Sequence, residues 1–235
     1  SVASRGLGDV YKRQRQGKAQ GQHSVKALHP SDPFGAGRHI HFKDDKGFAT
    51  GHVAISGVIA VADLFHAEVI VIVAGSIQCG AVTYRSGEAL VLPKAFSGSL
   101  SIAPDSQWFF CTMADERRSS EHAAIRLDAE RERPASAGPA AEVLVGPAPQ
   151  CHALNLFTDA SGMRAGVWDV STPCERSFVP HKVHELMHVI EGEMTLTHRN
   201  GSHETIVAGD TVFVPRGAPY AWKSTLKVVK YYCVM

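Results

Sequence analysis

The residues with the most chemistry in them lie close together near the C-terminus. His181 and Glu185 stand four apart in VPHKVHELMHVIEGEMTL, with Gly192 seven further on, and Tyr220 and Trp222 follow in AGDTVFVPRGAPYAW. An imidazole beside a carboxylate can hold a divalent metal, shuttle a proton, or sit as a buried pair without further role. Leaving the carboxylate alone in an apolar interior would cost several kcal/mol, so it must be paired or protonated. Tyr220 and Trp222 are two apart. On a strand they share a face, where they either wall a planar ligand or fill a core.

The elements that must position these groups read as two antiparallel strand pairs. Alternation puts Glu185, Met187 and Val189 on one face, and His184, Leu186 and His188 on the other, outer face. Gly192 ends the run where a permissive backbone is needed. Asn200-Gly201 is a hairpin signal, and Pro215-Arg216-Gly217 closes the next strand as a turn. The letters His184-Glu185-Leu186-Met187-His188 spell H-E-x-x-H, but that zinc motif needs a helix to align its two histidines. Lys223, Lys227 and Lys230 read as a solvated strand face rather than a phosphate clamp. Trp168, in AGVWDVS, reads as core.

The chain also repeats itself. Phe42, Asp44, Gly47, Gly51 and Ser56 meet Phe157, Asp159, Gly162, Gly166 and Ser171 at a constant offset of 115. Glu68 and Gly75 meet Glu185 and Gly192 at 117, and Gly87, Pro93, Cys111 and Met113 meet Gly209, Pro215, Cys233 and Met235 at 122. The offset changes only between segments, where loops differ in length. Short runs such as VIVIV, ALVLP and TVFVP, broken by Gly, Pro and Asn, predict an all-β sandwich or barrel in each copy. The expected organisation is a disordered or artefactual tail over 1–22, an N-terminal barrel over 23–114, a partly helical linker over 115–150 and a C-terminal barrel over 151–235. Within the tail, DVYKRQ at 9–14 looks like a translated sequencing adaptor.

Composition sets limits. The chain has 235 residues, 44% apolar and 20% charged, with a net charge of +1, which gives no electrostatic footprint for nucleic acid or an anionic membrane. No apolar run is long enough to span a bilayer. The five cysteines are odd in number and lack a C-x-x-C pair, so reduced thiols and a cytoplasmic location are expected. The partners expected are a small-molecule ligand and, as an open option, a second copy of the chain.

The spacing H-x3-E-x6-G at His181, Glu185 and Gly192 resembles the first cupin motif. G-x5-P-x-G at Gly209, Pro215 and Gly217 resembles the second. The wording EGEMTL, AGDTVFVPRG and VKYY looks most like the cupin subgroup of ureidoglycine aminohydrolase, over about residues 38–113 and 152–235. The resemblance implies two tandem double-stranded β-helix (jelly-roll) domains. It also implies metal ligands at Val179, His181, Glu185 and Tyr220, where those enzymes place Glu, His, His and Gln. Only His181 and Glu185 are good ligands here, so a divalent metal such as Mn would be held by two groups, with Tyr220, Trp222 and Met187 lining the substrate. In the N-terminal copy the same positions read Ala62, Leu64, Glu68 and Gly98. Glu68 alone survives, as a substrate-facing candidate or a relic in a metal-free barrel. Two functions follow: metal-assisted hydrolysis of a ureide or amine, or metal-independent binding of a small polar molecule.

Overall fold

The computed structural model of the chain describes residues 11–12, 28–114 and 122–235. Its strands are β1 (Tyr11–Lys12), β2 (Arg38–Lys43), β3 (Phe48–Ala54), β4 (Gly57–Val61), β5 (Glu68–Ala74), β6 (Ser76–Cys79), β7 (Val82–Arg85), β8 (Ala89–Leu92), β9 (Gly98–Ile102) and β10 (Gln107–Met113). After these come β11 (Ile125–Leu127), β12 (Ala135–Ser136), β13 (Cys151–Thr158), β14 (Arg164–Val170), β15 (Cys174–Pro180) and β16 (Glu185–Glu191). The last are β17 (Glu193–His198), β18 (His203–Val207), β19 (Thr211–Val214), β20 (Pro219–Ser224) and β21 (Val228–Val234). Helical structure among the described residues is limited to two 3-10 turns, Gly35–Gly37 and Ala141–Val143.

Four antiparallel sheets form, and they come in matching pairs. One pair has the orders β11-β8-β5-β10-β3-β2 and β4-β9-β6-β7; the other has β1-β19-β16-β21-β14-β13-β12 and β15-β20-β17-β18. Strands β2 to β10 of the first pair have counterparts β13 to β21 in the second at about the offsets found in the sequence, while β1, β11 and β12 are edge strands outside the repeat. Glu68 opens β5 opposite Leu92, and Glu185 opens β16 opposite Val214. Both are therefore face-to-face two-sheet sandwiches of jelly-roll type.

Burial explains why the sequence forms these elements. The long sheet of each sandwich is covered on both sides, so β5 (EVIVIVA) and β16 (ELMHVIE) are buried almost end to end. The short sheet has a wet side, and β9 and β17 alternate accordingly. One core gathers Phe34, Ile70, Ile72, Leu90, Leu100 and Trp108; the other gathers Met187, Val189, Met194, Leu196, Tyr220 and Trp222. Gly192 lies at φ +82°, and a Cβ there would come within 2.0 Å of the Lys227 carbonyl oxygen, so the turn after β16 admits no side chain.

The chain divides into two compact units. One comprises Glu130–Leu154 and Val167–Met235 with β1; the other is the described part of Gln20–Ala129 with Asn155–Gly166. The segment expected as a linker is mostly irregular among its described residues, and two short stretches of it join the sheets. β11 pairs with β8 and β12 with β13, leaving one 3-10 turn as its helical part. The expected helical start falls at 115–121, outside the described residues. Within the expected tail, Tyr11 and Lys12 pair with Phe213 and Val212 on the edge of β19; the rest of 1–22 lies outside the described residues. No helix among the described residues is long and apolar enough to cross a membrane. All five cysteines are free thiols.

Candidate functional site

Strand register brings the polar groups together inside the C-terminal sandwich. Glu185 begins the inner face of β16, followed by Met187 and Val189. Lys230 lies opposite Val189 on β21, and so on that same face. Its Nζ is 2.8 Å from Glu185 Oε1 and 2.9 Å from Met187 Sδ, and it lies 5.0 Å from the centroid of the Trp168 ring. Lysine can do this because its stem packs against apolar neighbours while its ammonium keeps a charged partner. Lys230 therefore departs from the solvated face expected of it. Lys223 and Lys227 are the solvated ones, in exposed pairs with Glu175 and Glu191.

His181 completes the cluster. Its backbone N–H donates to the Ala218 carbonyl and its own carbonyl accepts from Gly217 N–H, which clamps it beside the turn before β20. The ring Nδ1 is 3.1 Å from the Tyr220 hydroxyl, and Nε2 is 2.9 Å from Glu185 Oε2. Burial by itself would raise the Glu185 pKa. The Lys230 charge, with His181, overcomes it and holds the carboxyl down to about 2. Burial, and then the Glu185 charge, push the Tyr220 phenol up, so it stays protonated and can donate to His181 Nδ1.

Two aromatic residues and one arginine complete the inner wall. Trp222 is edge-on to Trp168 at 5.9 Å, and its indole N–H points at Met194 Sδ, 2.7 Å away, so it acts as a core residue whose polar edge is already engaged. Arg176 faces Trp222 in the β15–β20 register, and its Cζ lies 4.8 Å from the Tyr220 ring centroid. Of the six residues expected at a site, the fold assembles His181, Glu185, Met187, Tyr220 and Trp222 in one sandwich. Lys230 and Arg176 were missed. Alternation offers a partial signal for both, since Lys230 shares parity with buried Val228, and Arg176 with buried Cys174.

Glu68 belongs to the other unit and has no face left for a ligand. Arg38, itself completely buried, donates Nη2 to Oε2 at 2.7 Å and Nη1 to Oε1 at 3.3 Å. The same guanidinium holds Asp32 through Nε (2.7 Å) and Nη2 (3.0 Å), and packs over Phe110. Both oxygens of Glu68, expected to face a substrate, meet Arg38 in that network. The expectation of an outer, solvent face for His184 and His188 fails. His188 is 3% exposed, bonded to the Thr211 hydroxyl at 2.8 Å and stacked on Tyr231, because both faces of the long sheet are covered. β16 is a strand, so the H-E-x-x-H letters form no zinc motif.

The four positions where a cupin metal would be held, Val179, His181, Glu185 and Tyr220, do not fit a divalent ion. Val179 has no donor, Tyr220 keeps its proton, and one oxygen of Glu185 is taken by an ammonium that would repel a second cation. Among the described residues no group of three or more His, Cys, Asp or Glu has a metal-holding arrangement.

Two jelly-roll sandwiches of matching strand order, with the polar cluster inside the barrel of the second, define a protein of the cupin fold. Residues 158–232 match the family described as the EutQ-like cupin domain. A protein of unknown function of the DUF861 family, from Pseudomonas syringae pv. tomato str. DC3000, is 35% identical, with a TM-score of 0.88 over 96% of this chain and 98% of that one. The chain belongs to that cupin family. The fold alone is shared with a cupin 2 conserved barrel domain protein from Leptotrichia buccalis (12% identity, TM-score 0.56, 82% and 85% covered). It is likewise shared with salicylate 1,2-dioxygenase from Pseudaminobacter salicylatoxidans (12%, TM-score 0.53, 80% and 71% covered). No match is found among curated protein sequences.

Proposed function

We propose that the C-terminal barrel is a metal-independent site for a small polar molecule, in which Lys230 supplies the positive charge that a metal ion supplies in metal-holding cupins. The observation that carries this reading is the 2.8 Å pair between Lys230 and Glu185 at the heart of the motif. An ammonium there neutralises the one buried carboxylate and offers further donors to a ligand. Metal analysis of the purified protein, with His181→Ala alongside, tests it. Absence of stoichiometric metal in both proteins, and no change in Tm on adding manganese, is the expected result. Stoichiometric metal in the wild type that His181→Ala loses would overturn it.

A second reading keeps catalysis. His181 stands between the Tyr220 hydroxyl at Nδ1 and the Glu185 carboxylate at Nε2, within reach of a proton donor and a proton acceptor. The resemblance to ureidoglycine aminohydrolases supports a ureide or amine as the molecule acted on. On this reading His181→Asn removes the release of ammonia from ureidoglycine while leaving ligand binding in place.

A further inference from the structure

Arg176 is the group in this barrel that the pairing of Lys230 with Glu185 does not explain. It projects from β15 in register with Trp222, on the strand face that carries buried Cys174. The Nε and Nη2 atoms are both shielded from solvent, and neither has a hydrogen-bond partner among the described residues. These two donors form one edge of the guanidinium fork, the edge whose parallel N–H bonds match the two oxygens of a carboxylate.

The other unit shows the same edge in use. Arg38 turns Nε and Nη2 to Asp32, with Nε 2.7 Å from Oδ2 and Nη2 3.0 Å from Oδ1. The fold thus holds one arginine whose fork grips a carboxylate, and another whose equally buried fork grips none. Charge points the same way. Around the C-terminal cluster Lys230 is balanced by Glu185, and the Nε–Nη2 edge of Arg176 meets no acidic side chain among the described residues. Tyr220 lies beneath it with its ring face and, through its phenol, as a neutral hydrogen-bonding neighbour, so it balances none of the charge. Burying charged donors without acceptors is costly, and such groups persist where a ligand completes them.

We propose that the C-terminal barrel takes a carboxylate-bearing small molecule, seated on the Nε–Nη2 edge of Arg176 beside Tyr220. This deepens the metal-independent reading of the same barrel and rests on it. A carboxylate is favoured over a phosphate because a single fork is free, and it presents two donors in one plane rather than a cradle for a tetrahedral dianion.

The test uses the full chain and two readouts. In the first, Arg176→Met and wild type are melted without ligand; the expected result is a higher Tm for Arg176→Met, because an unpaired buried charge is replaced by an apolar chain of similar length. A lower Tm would mean that Arg176 is structural, and would overturn the proposal. In the second, wild type, Arg176→Lys and Arg176→Met are titrated calorimetrically with benzoate and succinate, and with benzamide and inorganic phosphate as controls. At least one acid should bind wild type saturably and benzamide should not. Arg176→Lys should bind it about ten-fold more weakly and Arg176→Met not at all. Acid binding that survives in Arg176→Met, phosphate binding at least as tight as either acid, or indifference to both acids would sink the assignment. Repeating the titrations in chelator separates the two readings. Carboxylate binding lost on chelation, together with stoichiometric metal in the purified protein, defeats the metal-independent reading, whereas indifference to carboxylates in a metal-free protein defeats this proposal alone.

Discussion

The two sandwiches place a glutamate at the same point, the first residue of the central strand, and treat it in opposite ways. Glu68 shares one guanidinium with Asp32 in a completely buried setting, and burial there outweighs Arg38 and raises the carboxyl pKa. Glu185 has Lys230 to itself, with His181 on its other oxygen, and its pKa falls to about 2. Arg38 comes from β2, before the motif, and buries completely; Lys230 comes from β21, after it, and stays slightly exposed. One copy has turned the motif glutamate into a structural staple. The other keeps a charged, partly reachable cluster of Lys, Glu, His and Tyr. What separates a closed barrel from a candidate site in this fold is which strand supplies the cation.

The largest effect should come from breaking the staple. Arg38→Met leaves Asp32 and Glu68 without a cation in a dry interior, and should cost about 3–5 kcal/mol in urea unfolding. Glu68→Gln should cost much less, because burial already works against the charge on Glu68 and Asp32 still partners Arg38. Equal losses from the two variants would contradict the contrast between the copies.

Acid should unfold the C-terminal barrel first, and in two windows. The Glu185 pKa is lowered from 4.5 to about 2, so its contribution is present above pH 4.5 and is lost as pH falls towards 2, about 3 kcal/mol in all. The His188 pKa is lowered by burial from 6.5 to about 4, so the unfolded chain takes up that proton first and stability falls between pH 6.5 and 4. In equilibrium unfolding across pH, Glu185→Gln should flatten the lower window and His188→Gln the upper, while Glu68→Gln leaves both in place. A Glu68→Gln profile without the lower window would assign that loss to the wrong barrel.

The duplication and the β fold were legible because they rest on spacing. Glycines with positive φ at Gly75 and Gly192, and the prolines after β8 and β19, keep register whatever fills the core. The clustering of His181, Glu185 and Tyr220 was legible for the same reason, since alternation fixes a face. Burial was not. His188 looked wet because alternation says which side a residue faces, and nothing about whether that side is covered. Lys230 looked wet because lysine usually is, and only the register with β16 shows its ammonium beside Glu185. Arg38 lies thirty residues before its partner Glu68, and no local pattern joins them.

Three lysines close the comparison, from a moderate effect to a negligible one. Lys230→Met strips the cation from Glu185, so the carboxyl pKa should rise and the lower acid window should move upward in pH, with a loss of about 1–3 kcal/mol at neutral pH. It also removes the charge that repels a metal. If Lys230 is what bars metal from His181 and Glu185, this variant should gain measurable stabilisation by manganese that the wild type lacks. Lys223→Gln and Lys227→Gln break pairs of similar length, 2.8 Å and 2.9 Å, but with both partners about half exposed. Water and salt screen such pairs, so each change should stay within about 0.5 kcal/mol and leave the acid profile where it was. Equal effects at all three positions would mean that position inside the barrel gives Lys230 nothing that distance alone does not.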